Sequence, residues 1–421
     1  MRVCLIGATH PSSNPRLLRE ADSLAEAGHD VRVVAPTFME DLGLRDSRLV
    51  ATRKWTFESF DFRPIGWTGR QRSFAVRGRK RIAQTLFTKL RSQSLAEHSY
   101  TLALRELRQL AGGSPADYFI AHSHAALPIA AKAAHRWNAK LGFDCEDLLL
   151  EFNDGSEQIV RRIEEKYLLD CEYVSVPSES IARRMEQRYS LKNLVVLYNV
   201  FPSALTRDMR PPNERPITDI LRLHWFGQTI GAGRGIEEAI EAMKLLNRPV
   251  ELHLRGNIAD EYRASLENLA GHSLGAFLIF HPAVDHDELI GTMEPFDVGL
   301  ALESNQHHGY AHTVTNKLFS YMIAGLAVAA TDTYGQREIM NRFPNAGLLY
   351  PGGNPEALAD VLRGWTDDRK ALTITKQAAW DRSRAEFCWE LEAEKFFSAL
   401  GLPKNGFNSY MNGQSLRLGS N

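Results

Sequence analysis

The apolar positions of this chain fall into short unbroken runs that alternate with stretches of helical spacing. Residues 3–6 are continuously apolar, the pattern of a strand buried on both faces of a parallel sheet. Gly7 and a polar loop follow. Asn14 then stands as a helix N-cap, with Pro15 at the first helical position. Leu17, Leu18, Ala21, Leu24 and Ala25 recur at helical spacing, and Gly28 stops the helix before an apolar run at 31–34. This is a strand–helix–strand unit whose first loop lies at the carboxyl end of the first strand. Further strands are expected at 118–121, 141–143, 173–176 and 194–197. Helices at about 127–138, 156–170 and 178–189 separate them. Such alternation predicts a doubly wound α/β domain over residues 1–200.

Four prolines (Pro202, Pro211, Pro212 and Pro216) punctuate a linker over 201–219. The alternation then restarts, with strands at 221–226, 249–254, 278–280, 298–301, 327–330 and 347–350 and a helix at 236–246. A second α/β domain is therefore expected over 220–380. A final helix over 381–400 is expected to pack back on the first domain, and a Gly-, Asn- and Ser-rich tail over 401–421 to be mobile.

The chain has 421 residues, room for two ordinary domains, and 44% apolar residues, enough for a core in each. The net charge of −1 does not favour a polyanionic partner for the chain as a whole. Cys4, Cys145, Cys171 and Cys388 form no CxxC pair, which fits reduced thiols rather than a disulfide framework. No apolar stretch is long enough to span a bilayer, and the N-terminal run is too short for a signal peptide. These features point to a cytoplasmic protein.

Two segments carry chemistry. In Phe226-Gly-Gln-Thr-Ile-Gly-Ala-Gly-Arg-Gly-Ile a strand ends and a helix begins around Gly227, Gly231, Gly233 and Gly235. Glycines let backbone amides approach an anion, the helix N-terminus adds free N–H groups, and Arg234 adds a full charge. A phosphate or diphosphate suits this loop better than the bland alternative, a tight turn with a solvent-facing arginine. In the second segment, residues 313–329, Thr315 or Asn316 can cap a helix whose first turn holds Lys317. A cation there opposes the helix dipole and asks for a reason, such as a bound anion. A lysine that merely snorkels to water is the alternative.

On these segments the chain resembles glycosyltransferase family four, the glycosyl transferases group 1, with the GT-B architecture of two Rossmann-like domains facing across a cleft. The resemblance extends through NPRLLREADSLAEAGHDVRVVAP, VSVPSESIARRM, LYNVF, GRGIEEAIEAM, TNKLFSYMIAGLAVAATD and FCWELEAEKF, in the family's order. It implies transfer of a sugar from a nucleoside diphosphate sugar, usually with retention, in building a polysaccharide or glycolipid. The donor would sit mainly on the second domain, against Gly227, Gln228, Thr229, Gly233, Gly235, Thr315, Asn316 and Ser320. Arg234 and Lys317 would stabilise the departing diphosphate. The Gly7 loop would close over the donor, the acceptor would bind the first domain, and neither a metal nor another cofactor would be required. The family's two spaced glutamates are replaced by His312 and Ser320, and its arginine after the first glycine by Gln228. His312 could stand in as a hydrogen-bonding or acid/base group.

Asp144 and His122, each at the carboxyl end of an expected strand, are the acceptor-side candidates; capping of the following helix is the equal alternative. Asp285-His-Asp287 imitates a metal-binding DxD but precedes a helical stretch, so an N-cap role is expected. His307, His308 and His312 lack a Cys or Asp to complete a ligand set. The Gly7 loop is not a dinucleotide fingerprint.

Residues 62–96 hold no acid, nine basic residues from Arg63 to Arg91, and Trp67, Phe74 and Phe87 between them. This composition suits a surface of anionic lipid, a lipid-linked diphosphate acceptor, or an ordinary solvated helix face. Nucleic acid is disfavoured, since the rest of the chain is not basic. The expected partners are thus a nucleotide sugar, a glycan or lipid-linked acceptor, and the inner face of a membrane. A silent nucleotide-sugar-binding protein and a nucleotide-sugar epimerase remain open readings.

Overall fold

The computed structural model describes residues 1–152, 154–246, 248–274, 277–303 and 308–403. The chain divides into two units. One comprises Met1–Pro177, Ile181–Leu197 and the segment from Ala393; the other comprises Ser178–Ser180 and Tyr198–Glu392.

The first unit is built on a parallel seven-stranded sheet of order β3-β2-β1-β4-β5-β6-β7. Its strands are β1 (Arg2–Gly7), β2 (Asp30–Thr37), β3 (Thr56–Asp61), β4 (Tyr118–His122), β5 (Lys140–Asp144), β6 (Tyr173–Val176) and β7 (Leu194–Val196). The central strands are buried along their length because helices cover both faces, which explains their unbroken apolar runs. The edge strand β3 escapes that reading. Its sequence, Thr-Phe-Glu-Ser-Phe-Asp, keeps a partly exposed polar face and carries no apolar run. The first helix, Pro15–Glu26, starts as expected: the Asn14 side chain accepts from the Leu17 N–H at 3.1 Å.

The second unit carries a parallel six-stranded sheet of order β10-β9-β8-β11-β12-β13. Its strands are β8 (Leu221–Ile230), β9 (Val250–Ile258), β10 (Leu278–His281), β11 (Val298–Ala301), β12 (Ala327–Thr331) and β13 (Gly347–Tyr350). The expected end of β8 at Phe226 is too early. The strand continues to Ile230 through an irregularity between Phe226 and Thr229, so Gln228 and Thr229 are strand residues with exposed side chains. The Pro-rich segment is fastened to this unit. The Arg215 guanidinium donates to the carbonyls of Ala324 (2.9 Å) and Gly325 (3.2 Å), closing the C-terminus of the Asn316–Ala324 helix.

The four cysteines are free and buried. Among the described residues, no helix is long and apolar enough to cross a membrane.

Candidate functional site

In each sheet the strand order reverses at one place, between β1 and β4 in the first and between β8 and β11 in the second. Loops leaving neighbouring strands diverge there, and the carboxyl edge opens for ligands.

At the second switch point, β8 runs into the loop 231–235 and then the Ile236–Leu246 helix. Gly233 and Gly235 have φ of 74° and 77°, values that favour glycine. At Gly235 a Cβ would also lie 2.7 Å from Leu302, which follows β11. Gly227 has a different reason: a Cβ there would lie 2.7 Å from the Trp225 indole. Two of the motif's glycines are thus required by packing, while Gly231 and Gly233 have open space around them. Arg234 is exposed and makes no ion pair among the described residues. The helix that follows bears Glu237 and Glu238 in its first turn; Glu238 binds the amides of Gly353 and Asn354, and Glu237 accepts from Tyr262.

Lys317 lies on the Asn316–Ala324 helix. Thr315 is the cap, accepting from the Lys317 N–H at 3.4 Å, and Asn316 is the first helical residue. The lysine has found an anion within the protein: its Nζ donates to Glu303 Oε1 at 2.9 Å. It also lies 5.7 Å from the centre of the Trp225 ring, the ring that Gly227 accommodates. Glu303 in turn is anchored by Thr331, whose Oγ1 accepts from the Glu303 N–H (2.9 Å) and donates to its carbonyl (2.7 Å). Spacing along the chain does not reveal this pairing, because it forms through tertiary folding.

The two residues at the glutamate positions are both buried. Ser320 has no exposed surface, and its hydroxyl donates to the Asn316 carbonyl of its own helix at 2.8 Å. His312 is 4% exposed, stacks on Tyr334 at 4.8 Å and faces the Ser180 hydroxyl through Nδ1 at 2.7 Å. His307 and the side chain of His308, set aside above as a metal set with His312, lie outside the described residues, as does the side chain of Asp287. Asp285 stands at the N-cap position of the His286–Leu289 helix without a side-chain cap bond.

At the first switch point the register aligns Gly7 with His122, His122 with Asp144 and Asp144 with Ser175. The side chains of His122 and Asp144 have no exposed surface. Arg16 donates to both Asp144 oxygens, at 2.7 and 2.5 Å, and Ser175 donates at 2.7 Å. Burial works against the Asp144 charge, but the Arg16 guanidinium overrides it and holds the carboxyl well below its usual range. His122 lies between Glu20 (3.1 Å) and Asp144 (3.4 Å), without well-aligned hydrogen bonds. Burial disfavours its charge, yet Glu20 and then Asp144 push its pKa up to about 10. These residues form a closed ionic cluster, so the expected acceptor-side candidates occupy a supporting position. Glu146 keeps some surface, its side chain being 28% exposed. Asn14 donates to it at 2.5 Å, and desolvation followed by Asp144 pushes it up to about 7. His124, two residues after His122, bonds Glu164 at 2.7 Å and does not cap a helix.

Glu20, His122 and Asp144 could offer one ligand atom each to a metal, all within 4.8 Å of one another. The charge balance is poor for a dication: the bidentate Arg16 already neutralises Asp144, and Glu20 and Asp144 raise the affinity of His122 for a proton, which competes with a metal.

The first part of the chain, residues 13–199, matches the model of the glycosyl transferase 4-like domain. Residues 222–368 match that of glycosyl transferases group 1. No curated protein matches the chain. Among solved structures it is similar to Anabaena Alr3699/HepE in complex with UDP, at 14% identity and a TM-score of 0.68, covering 95% of this chain and 100% of that one. It is also similar to sucrose-phosphate synthase (tll1590) from Thermosynechococcus elongatus, at 15% identity and a TM-score of 0.66, covering 94% and 98%. A glycosyltransferase from Rickettsia africae ESF-5 follows at 13% identity and a TM-score of 0.65, covering 95% and 98%. At such identities the likeness establishes fold, and the two family models span most of the chain. With its two doubly wound parallel sheets, the chain belongs to the glycosyltransferase family four, group 1 glycosyl transferases of GT-B fold.

Proposed function

We propose that the protein transfers a sugar from a nucleoside diphosphate sugar to the hydroxyl of a glycan, lipid-linked or small-molecule acceptor, with retention at the anomeric carbon. The observation that carries this reading is the loop 231–235. It combines open glycines, a helix N-terminus and an exposed Arg234, without an ion pair among the described residues, at the switch point of its sheet. The solved relatives include one described in complex with UDP-glucose, which supports that donor class.

In this reading the acceptor oxygen bonds to the anomeric carbon as the bond from that carbon to the diphosphate oxygen breaks. The electron pair leaves with the diphosphate, and the acceptor's proton passes to a departing phosphate oxygen. Arg234 and Lys317 stabilise the growing negative charge, and Lys317 exchanges all or part of its Glu303 contact for the phosphate. Thr315 and Asn316 present the start of their helix to the donor, while Gln228 and Thr229 line the end of β8. No metal is required, since the two cations supply the charge. On the first unit, the partly exposed Glu146 is the group that meets the acceptor.

A second reading, a silent nucleotide-sugar-binding protein, draws on the buried His312 and Ser320 at the glutamate positions. Product formation from donor and acceptor, measured directly, excludes it. The donor site is tested by thermal shift against UDP, GDP, ADP, TDP and CDP. One base is expected to stabilise the protein, by about 2.7 kcal/mol at a hundredfold excess over Kd. Arg234→Ala and Lys317→Ala should each weaken that binding about ten- to a hundredfold, or about 1.4–2.8 kcal/mol. A folded protein that none of the five diphosphates stabilises would sink the site.

A further inference from the structure

The basic segment of the first unit is not used by the proposed reaction, and the structure sorts its residues in an unusual way. Gly66–Leu90 is one long helix. It buries Ser73, Val76, Ala83 and Phe87, a single narrow stripe, and packs against the Gln93–Tyr100 helix. An ordinary surface helix turns polar residues outward. Here the opposite side carries Trp67, Phe74 and Ile82, exposed by 75%, 81% and 62%, each about two turns from the next. Leu90 adds an apolar end at 67% exposure.

The cations divide along the same line. Those toward the protein have partners: Arg79 pairs with Glu106, and Lys80 donates to the Tyr100 carbonyl at 3.0 Å. Arg70 and Arg81, which border one side of the exposed apolar stripe, and Lys89, which lies in line with it, are exposed and have no ion pair among the described residues. With no acid anywhere in 62–96, nothing in the segment neutralises them.

We infer that this helix is a membrane-docking surface, lying flat on a bilayer that contains anionic lipid, with Trp67, Phe74 and Ile82 inserted at the acyl boundary. Large apolar side chains bordered by unpaired cations match the layering of such an interface, apolar below and anionic at the headgroups. A partner protein patch could cover the apolar stripe, but uncompensated positive charge along one side of it and at its end selects a surface that is negative throughout. The stripe runs about 22 Å along the helix axis, long enough for several side chains to insert together. The inference rests on this face alone and is independent of the donor reading.

The test is co-sedimentation of the full chain with vesicles of phosphatidylcholine, with and without phosphatidylglycerol. Binding is expected only to the anionic vesicles and should fall as salt rises. The triple variant Trp67→Ser, Phe74→Ser, Ile82→Ser should bind at least about tenfold more weakly. Charge reversal at Arg70, Arg81 and Lys89 should abolish binding. All substituted side chains are exposed, so both variants should keep the wild-type circular dichroism and melting temperature. Wild-type protein that stays in the supernatant with anionic vesicles at low salt overturns the proposal. So does a triple variant that binds as well as wild type. A wild-type dimer in size exclusion that the same triple variant converts to monomer would assign the stripe to a second copy of the chain instead.

Discussion

The two switch points of the molecule use charge in opposite ways. At the β1/β4 edge, Arg16, Glu20, His122 and Asp144 are buried and offset one another's charge, leaving little charge to offer a ligand. At the β8/β11 edge, Arg234 is exposed with no ion pair among the described residues, and Lys317 is held by one carboxylate at the start of a helix. The same topology therefore yields a structural ionic core in one unit and an anion-ready surface in the other. Burial decides between them. A buried charge must be compensated within the protein, whereas an exposed one is free to be compensated by substrate.

The sharpest way to break the comparison is Arg16→Ala. It leaves the Asp144 carboxylate buried with only Ser175 and His122, and should destabilise the protein by about 3–5 kcal/mol in chemical denaturation. A loss below about 1 kcal/mol would mean that the cluster is not a structural unit.

The next effect is on pH. His122 titrates near 6.5 when unfolded and is pushed up to about 10 when folded, where Glu20, Asp144 and Glu146 face it. A folded pKa above the unfolded one means that its stabilisation is fully present below pH 6.5 and is lost as pH rises toward 10. The loss should reach a few kcal/mol, since each tenfold gain in proton affinity on folding corresponds to about 1.4 kcal/mol. Melting temperature should fall from pH 6.5 to 9 in the wild type and change less in His122→Phe. Parallel pH profiles would show that His122 carries no net charge in the fold.

The smallest effect sharpens the second half of the comparison. Glu303→Gln removes the negative charge beside Lys317 and should strengthen nucleoside diphosphate binding a few-fold, about 1 kcal/mol or less, by titration calorimetry. Weaker binding would show that Glu303 positions the lysine and does not compete for it.

How much of this was legible in the residues alone depends on the range of each interaction. The central strands announced themselves, because burial on both faces demands unbroken apolar runs. Asn14 as a cap and the loop before Ile236 were readable too, since a cap and a helix N-terminus act within a few positions. β3 was missed because an edge strand keeps polar residues, and the extension of β8 was missed because glycines read as a loop. The Gly66–Leu90 helix was visible only as a composition; its sorting into buried, paired and exposed faces needed its neighbours.

The sequence by itself determined the alternation of strands and helices, the family and the placement of an anion-favouring loop, because these rest on periodicity and on contacts between near neighbours. The tertiary structure alone decided which charges are available. Arg16 meets Asp144 across 128 positions of sequence, and Lys317 meets Glu303 across 14. Electrostatic partnership depends on distance and burial in space, which spacing along a chain does not encode.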